Sequence, residues 1–169
     1  GAMKSQPPER QPPSELALVD ERKVRARVQL NRARREGLAG AVRLRDTLHE
    51  VARAQGFTDW EHARLVLSGM AVPGEDMGSF WHVPRTGILL NLWFSSHDEA
   101  LAVLQQHDGY LLPYRRQCFI VQSPFIESLG MDPLDSAWSA TGRDLVAAYG
   151  TPAWRTLAWQ RLRAMAQAL

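Results

Sequence analysis

Residues 109–122 read GYLLPYRRQCFIVQ, and they predict two strands of a small sheet. The second part, Gln117–Gln122, is rich in β-branched, aromatic and aliphatic residues, which favour an extended conformation. The first part, Gly109–Arg116, is limited to an edge strand or a broken strand, because Pro113 has no backbone N–H to donate to a neighbouring strand.

The sequence before this stretch predicts a β-α-β unit. Phe80–Val83 and Ile88–Phe94 are again rich in aromatic and aliphatic residues, and Pro84–Gly87 is typical of a hairpin connection between them. Ser96 suits the start of a helix with one apolar face, which ends before Asp108–Gly109. The unit is too small for a large parallel sheet and favours a small α+β core.

Two helices are predicted after the sheet. Asp132 and Pro133 provide the cap and the first-turn proline that are typical of a helix start, and Thr151 and Pro152 repeat this pattern. The apolar residues that follow each start recur at helical spacing. These two helices are expected to close the chain.

The N-terminal part of the chain predicts a long first helix. Residues 16–36 contain no proline or glycine and are rich in good helix formers. Val24, Val28 and Leu38 give this helix only a thin apolar stripe, so we expect it to lie on another surface or to extend outward.

A helical hairpin is predicted next. Its first helix covers about residues 41–55, and Gly56 stops it. Its second helix begins with Thr58 or Asp59 as N-cap and runs through Leu67. The proline and glycines that follow favour a linker or an exposed loop.

Together these elements predict an α+β fold with an N-terminal basic helix and helical hairpin, a small mixed or antiparallel sheet containing the β-α-β unit, and two C-terminal helices. The expected organisation is a disordered leader over residues 1–15, a basic helical region over 16–69, a linker over 70–79 and a small α+β domain over 80–169. Four prolines among polar residues indicate the disorder of the leader, and its first residues, Gly-Ala-Met, are typical of a scar from a removed tag.

The composition indicates a soluble protein with a true core. Of 169 residues, 45% are hydrophobic, which is too many for a wholly disordered chain. The longest apolar run, Ile88–Phe94, is interrupted by Asn91 and is too short to span a bilayer. The single cysteine, Cys118, suggests a reducing compartment. We therefore expect a cytoplasmic protein that has no membrane partner.

Positive charge is concentrated in the first third of the chain. Residues 1–45 hold eleven Lys/Arg and five Asp/Glu, whereas residues 46–169 hold nine and thirteen. Seven of the fourteen residues from Arg22 to Arg35 are basic and none is acidic. A densely negative partner would be attracted to this part of the chain and mildly repelled by the rest.

The basic segment predicts contact with nucleic-acid phosphates, with DNA expected before RNA. Guanidinium groups bind phosphates through paired hydrogen bonds, and each neutralised phosphate releases counterions. On a helix the charges wrap around the axis and do not form one stripe. One alternative is a solvated helix whose arginines pair with acids of the same chain, and another is an acidic protein or membrane surface. The predicted phosphate-binding residues are Arg22, Lys23, Arg25, Arg27, Arg32, Arg34, Arg35, Arg43 and Arg45.

Residues 51–69 resemble the helix-turn-helix of bacterial transcription regulators. The matching features are the small residue Ala52, the turn glycine Gly56 and the apolar Leu65 in the second helix. The resemblance implies that the second helix enters the major groove and that its first residues meet base edges. The chain departs from the pattern at its reading positions, where Asp59 and Glu61 would face phosphates.

The same residues are also similar to a small helical module found beside glyoxalase-like domains in bacterial proteins. That similarity rests on the pattern Ala-x-x-x-Gly-Phe-x-Asp-Trp and implies that Trp60 is a core anchor. It carries over no activity, because His82 has no glutamate partner on a facing strand. A structural hairpin is favoured over a DNA-reading one.

No reaction is indicated by the remaining residues. Neither a His-x-x-x-His nor a Cys-x-x-Cys pair occurs, so we expect no catalytic residues, no metal site and no cofactor. The two His-Asp pairs, His97–Asp98 and His107–Asp108, are expected to cap a helix or lie on the surface. Cys118 lies within a predicted strand, where a buried and inert thiol is favoured.

Two smaller groups of residues are candidates for binding. Tyrosines and arginines next to each other suit single-stranded nucleic acid or a small anion, and the residues concerned are Tyr110, Tyr114, Arg115 and Arg116. Trp159 falls off the apolar stripe of the last helix and Trp81 lies near the predicted linker, so either could anchor a protein interface. A homodimer through the C-terminal helices is a further hypothesis.

Three functions follow from the sequence. The leading one is a non-enzymatic nucleic-acid-associated protein, such as a regulator or accessory factor of bacterial type. The second is a protein-protein module, such as an inhibitor, an immunity protein or an adaptor, that binds an acidic partner. The third is a small-molecule enzyme whose catalytic groups are scattered through the α+β domain.

Overall fold

The computed structural model describes residues 13–35, 43–72, 74–84 and 91–167, and these ranges form a mixed α+β fold, as predicted. In chain order the elements are α1 (Glu15–Arg35), α2 (Leu44–Ala54), α3 (Trp60–Leu67), β1 (Leu92–Phe94), α4 (His97–Gln106), β2 (Tyr110–Tyr114), β3 (Gln117–Val121), α5 (Ser123–Ser128), α6 (Ser136–Ala140) and α7 (Pro152–Gln167). Most of the predicted leader lies outside the described residues, and so do residues 85–87 of the predicted hairpin connection.

The sheet is antiparallel, with strand order β1-β3-β2. Phe119 lies opposite Trp93 on one side and opposite Leu112 on the other. Because β1 and β2 are both antiparallel to β3, they run in the same direction, and α4 connects them across the intervening strand. The β-α-β unit is thus confirmed, and Pro113 lies on the edge strand β2, where its missing N–H is tolerated.

Each face of the sheet packs on a different layer. Phe119 and Val121 point into the main core, together with residues from all parts of the chain. Cys118 and Ile120 point the other way and pack against Ala100 of α4. The alternation of side chains along a strand accounts for this division of β3.

Helix α1 lies on the body of the protein and does not extend outward. The expected valine stripe is wrong, since Val24 and Val28 are 56% and 43% exposed. The buried side instead consists of residues four apart, namely Leu18, Arg22, Ala26 and Leu30, and it contacts α2, α3 and α7. Leu38 lies outside the described residues.

Residues 74–79 join the two predicted regions and do not act as a spacer between them. The backbone N–H of Ser79 donates to the carbonyl of Gly56 at 2.8 Å, and that of Met77 donates to the carbonyl of Arg115 at 2.9 Å. The hydrophobic core includes Phe57 from one side of this segment and Trp154 from the other. Residues 16–69 and 80–169 therefore share one core.

Two predicted elements differ in the structure. Phe80–Val83 is not a strand, because Phe80 and Trp81 lie in a turn and bury their rings in the core. No helix begins at Asp132, whose side chain accepts from Leu134 in a turn. Helix α6 starts later, with Asp135 as its N-cap, and ends before Gly142 and Arg143, both of which have positive φ.

Candidate nucleic-acid interface

Helices α1 and α2 pack antiparallel and carry the basic residues on their outer side. Arg22 contacts Gln55 at the C-terminal end of α2. Lys23 and Arg27 line a cleft with Leu44 and Leu48 near the start of α2. The first turn of α2 therefore lies beside the middle of α1.

Seven of the nine predicted phosphate-binding residues are exposed, namely Lys23, Arg27, Arg32, Arg34, Arg35, Arg43 and Arg45. At about 100° per residue, Lys23, Arg27 and Arg34 lie within about 40° of one another on α1, while Arg32 projects from the opposite flank. Arg43 and Arg45 are the sequence neighbours of Leu44, which lines the same cleft as Lys23 and Arg27. We call Lys23, Arg27, Arg34, Arg43 and Arg45 the basic face.

The side chains of the basic face make no ion pairs within the described part of the chain, and the neighbouring carboxylate of Asp46 accepts from the backbone N–H of Arg43 at 3.4 Å. None of its five residues forms an ion pair with a described carboxylate. The intramolecular pairing predicted as an alternative is limited to Arg25, whose Nη2 lies 3.1 Å from Oε1 of Glu21. The cluster of arginines in the last turn of α1 also has a structural benefit, because cations there interact favourably with the helix dipole.

Arg22 does not belong to the interface, which corrects its assignment to phosphate. Its side chain is fully buried, its Nε donates to Oε1 of Gln55, and its guanidinium lies 4.3 Å from the ring centroid of Trp60. Burial lowers the pKa of Arg22 to about 9, which leaves it protonated at neutral pH. Its spacing of four residues from Leu18 and Ala26 was the sequence signal for burial.

The helical hairpin of α2 and α3 forms, with a tight turn at Gly56. Asp59 is the N-cap of α3, as expected, and accepts from the backbone N–H of His62 at 2.7 Å. The His62 ring in turn contacts the carbonyl of Asp76 at 2.6 Å. Trp60 is buried beneath Arg22, so its predicted place in the core is confirmed. DNA reading by α3 stays a prediction.

The structure brings together only part of the tyrosine-arginine patch. Tyr110 is buried and donates its hydroxyl to the carbonyl of Pro133 at 3.0 Å, so it cannot stack on a base. Tyr114, at the other end of β2, is half-buried, with the Arg115 guanidinium 5.3 Å from its ring centroid. Arg115 and Arg116 are exposed.

The tryptophans are distributed differently from expectation. Trp81 is 3% exposed and cannot anchor an interface in this conformation, because its ring packs edge-on against Phe80. Trp159 is half-buried against the core, and the homodimer through the C-terminal helices stays a prediction. Trp93 of β1 is 43% exposed and stacks on Phe119.

The reactive side chains of the described residues serve the fold. Cys118 is buried, and burial, together with the nearby charge of Asp144, raises its pKa to about 11, so it stays a thiol. His97 was expected to form a surface or capping pair with Asp98, but its Nε2 instead lies 2.7 Å from Oδ2 of Asp144. Among the described residues no group of three or more His, Cys, Asp or Glu could hold a metal ion.

The chain matches no family model, no curated protein and no solved structure. None of the helices in the described ranges is long and apolar enough to cross a membrane.

Proposed function

We propose that this protein binds nucleic acid through the phosphate backbone, using the basic face of α1 and α2. The proposal rests on one observation: five exposed cations project from α1 and the start of α2, and none of them forms an ion pair with a described carboxylate. Each guanidinium can donate two hydrogen bonds to a phosphate and release its condensed counterions. A cytoplasmic location, where Cys118 would stay reduced, belongs to this proposal.

The arrangement favours contact with the backbone over reading of bases. Phosphate contacts fix a protein on the duplex without selecting its sequence. On α3, whose first residues would enter a groove, the exposed Glu61 would repel phosphates. Duplex DNA of any sequence is thus the expected ligand, with RNA as a competitor.

Neutralising the basic face is expected to weaken binding to a random-sequence duplex by at least about tenfold at moderate salt. The variant carries Arg27→Gln, Arg34→Gln and Arg43→Gln, and fluorescence anisotropy measures its affinity. Each change removes one charge from an exposed side chain, so the fold should be retained.

A matched control carries Arg53→Gln, Arg64→Gln and Arg163→Gln, which remove the same charge from exposed positions outside the predicted binding residues. The control is expected to bind within about threefold of wild type, since only the average charge has changed. Equal weakening of both variants would show that no particular face is used. An absence of wild-type binding at low salt would overturn the proposal.

A protein partner is the second candidate, favoured by the exposure of Val24 and Val28 on α1. Apolar side chains flanked by arginines suit a partner with an acidic rim and an apolar centre. Replacing both valines by serine should leave DNA affinity unchanged but abolish binding of such a partner. Co-purification of a defined acidic protein with wild type alone would support this function.

A further inference from the structure

A cavity of about 390 Å³ lies between α1, α2, the end of α5 and α7. Its walls are largely apolar and include Val51, Leu129, Leu162 and Met165. This size and character are typical of sites for small organic ligands. The basic face takes no part in it, because none of its residues lines the cavity.

Arg22 lines this cavity, and two of its hydrogen-bond donors are buried without a partner among the described residues. Its side chain is fully buried, and within the described residues neither Nη1 nor Nη2 has a hydrogen-bond partner. Gln55 satisfies only Nε. The ring face of Trp60 attracts the cation, but it provides no lone pair that could accept a hydrogen bond in the plane of the guanidinium. A buried donor without an acceptor is costly, so these two atoms call for an explanation.

A second buried cation adds to the positive charge of the site. Arg161 is 8% exposed and also lines the cavity. It donates to the carbonyls of Phe80 and Leu129, at 3.0 and 2.9 Å, and not to a carboxylate. Glu21 is the anion among the described lining residues, and Arg25 already binds it. The cavity therefore holds an excess of buried positive charge.

We propose that this cavity binds a small organic monocarboxylate with an apolar body, whose two oxygens accept from Nη1 and Nη2 of Arg22. The planar fork of a guanidinium matches the two oxygens of a carboxylate. Two unpaired donors suit this group better than a phosphate, which presents more oxygens and charge. Because both Nη atoms of Arg22 are shielded from water, the cavity wall beside Arg22 must shift to let the carboxylate reach them.

Calorimetric titration of the full chain with sodium octanoate tests the proposal. Wild type should bind octanoate saturably, while 1-octanol, which has the same chain without the charge, should bind at least about tenfold more weakly. Equal binding of the two would overturn the role of Arg22. Saturable binding of inorganic phosphate without binding of octanoate would overturn the assignment to a carboxylate, and so would an absence of octanoate binding at millimolar concentration.

Two variants locate the site. Arg22→Met keeps an unbranched side chain but removes the guanidinium and its hydrogen-bond donors, so it should weaken octanoate binding at least about tenfold. Ala54→Trp leaves Arg22 in place and fills the cavity from an exposed position at its rim, with the same expected loss even if the first variant does not fold. Lys23→Met, on the same helix but outside the cavity, should bind octanoate as wild type does. Unchanged octanoate binding by Ala54→Trp would place the ligand elsewhere.

Discussion

Replacing Gly56 with alanine is expected to lower the free energy of unfolding by about 2–5 kcal/mol. Gly56 has a φ of +94°, a conformation that costs an L-residue about 1–2 kcal/mol. The added Cβ would also lie 2.7 Å from the carbonyl carbon of Ser79 and 2.8 Å from the backbone N of Phe80. Backbone atoms cannot rotate away, so overpacking adds about 1–3 kcal/mol.

Gly74→Ala is the matched control for this prediction. Gly74 has a φ of +92°, but nothing lies within 4 Å of its added Cβ. The control should therefore lose only the conformational cost of about 1–2 kcal/mol. Urea unfolding measures both variants. Equal losses would contradict the close approach of residues 78–80 to the turn between α2 and α3.

Replacing Asp144 with alanine is expected to destabilise the protein by about 2–4 kcal/mol. Asp144 is 4% exposed, and its Oδ2 lies 2.7 Å from Nε2 of His97. Its Oδ1 accepts from the backbone N–H groups of Val146 and Ala147, both at 3.0 Å. Removing the carboxylate leaves the two backbone N–H groups without an acceptor, which costs about 1–3 kcal/mol for each group that stays buried. The loss of the pair with His97 adds little to this, because the His97 ring is partly exposed.

Conservative variants separate the two contributions of Asp144. Asp144→Asn keeps an oxygen for the backbone donors and loses the charge, so it should cost less than the alanine variant. His97→Ala leaves Oδ2 of the buried Asp144 without a partner but keeps both backbone hydrogen bonds to Oδ1, so it should cost about 1–2 kcal/mol. Urea unfolding measures the free energy of unfolding of all three variants and thus ranks their losses. If His97→Ala were as damaging as Asp144→Ala, the backbone hydrogen bonds would not be the main contribution.

Local sequence signals predicted the elements that depend on local physics. Helix α4 begins after Ser96, as predicted, and α7 begins at the predicted proline, Pro152. The edge position of β2 follows from Pro113, because proline cannot donate to a second neighbour. The two prolines restrict the backbone strongly enough to predict these positions without knowledge of tertiary contacts, whereas α4 follows from its apolar spacing, since Ser96 makes no side-chain cap hydrogen bond.

Which side chains are buried depends on tertiary packing, and the sequence alone did not predict it for α1 or for residues 80–81. Val24 and Val28 predicted the buried side of α1. In the structure α1 instead packs on α2, α3 and α7 through the side that holds Arg22. Phe80 and Trp81 have strand-like composition, yet the core receives their rings from a turn. The candidate site was predicted in position and charge, whereas the burial of Arg22 depends on Trp60 and Gln55, which are distant in sequence.

The salt dependence of DNA binding tests the central proposal most directly. For a protein that neutralises four or five phosphates, the plot of log K against log salt concentration should have a slope of about −3.5 to −4.5. The variant with Arg27→Gln, Arg34→Gln and Arg43→Gln should reduce the magnitude of that slope by about 2 to 3. A wild-type slope near zero, or the same slope in the variant, would contradict phosphate binding by the basic face.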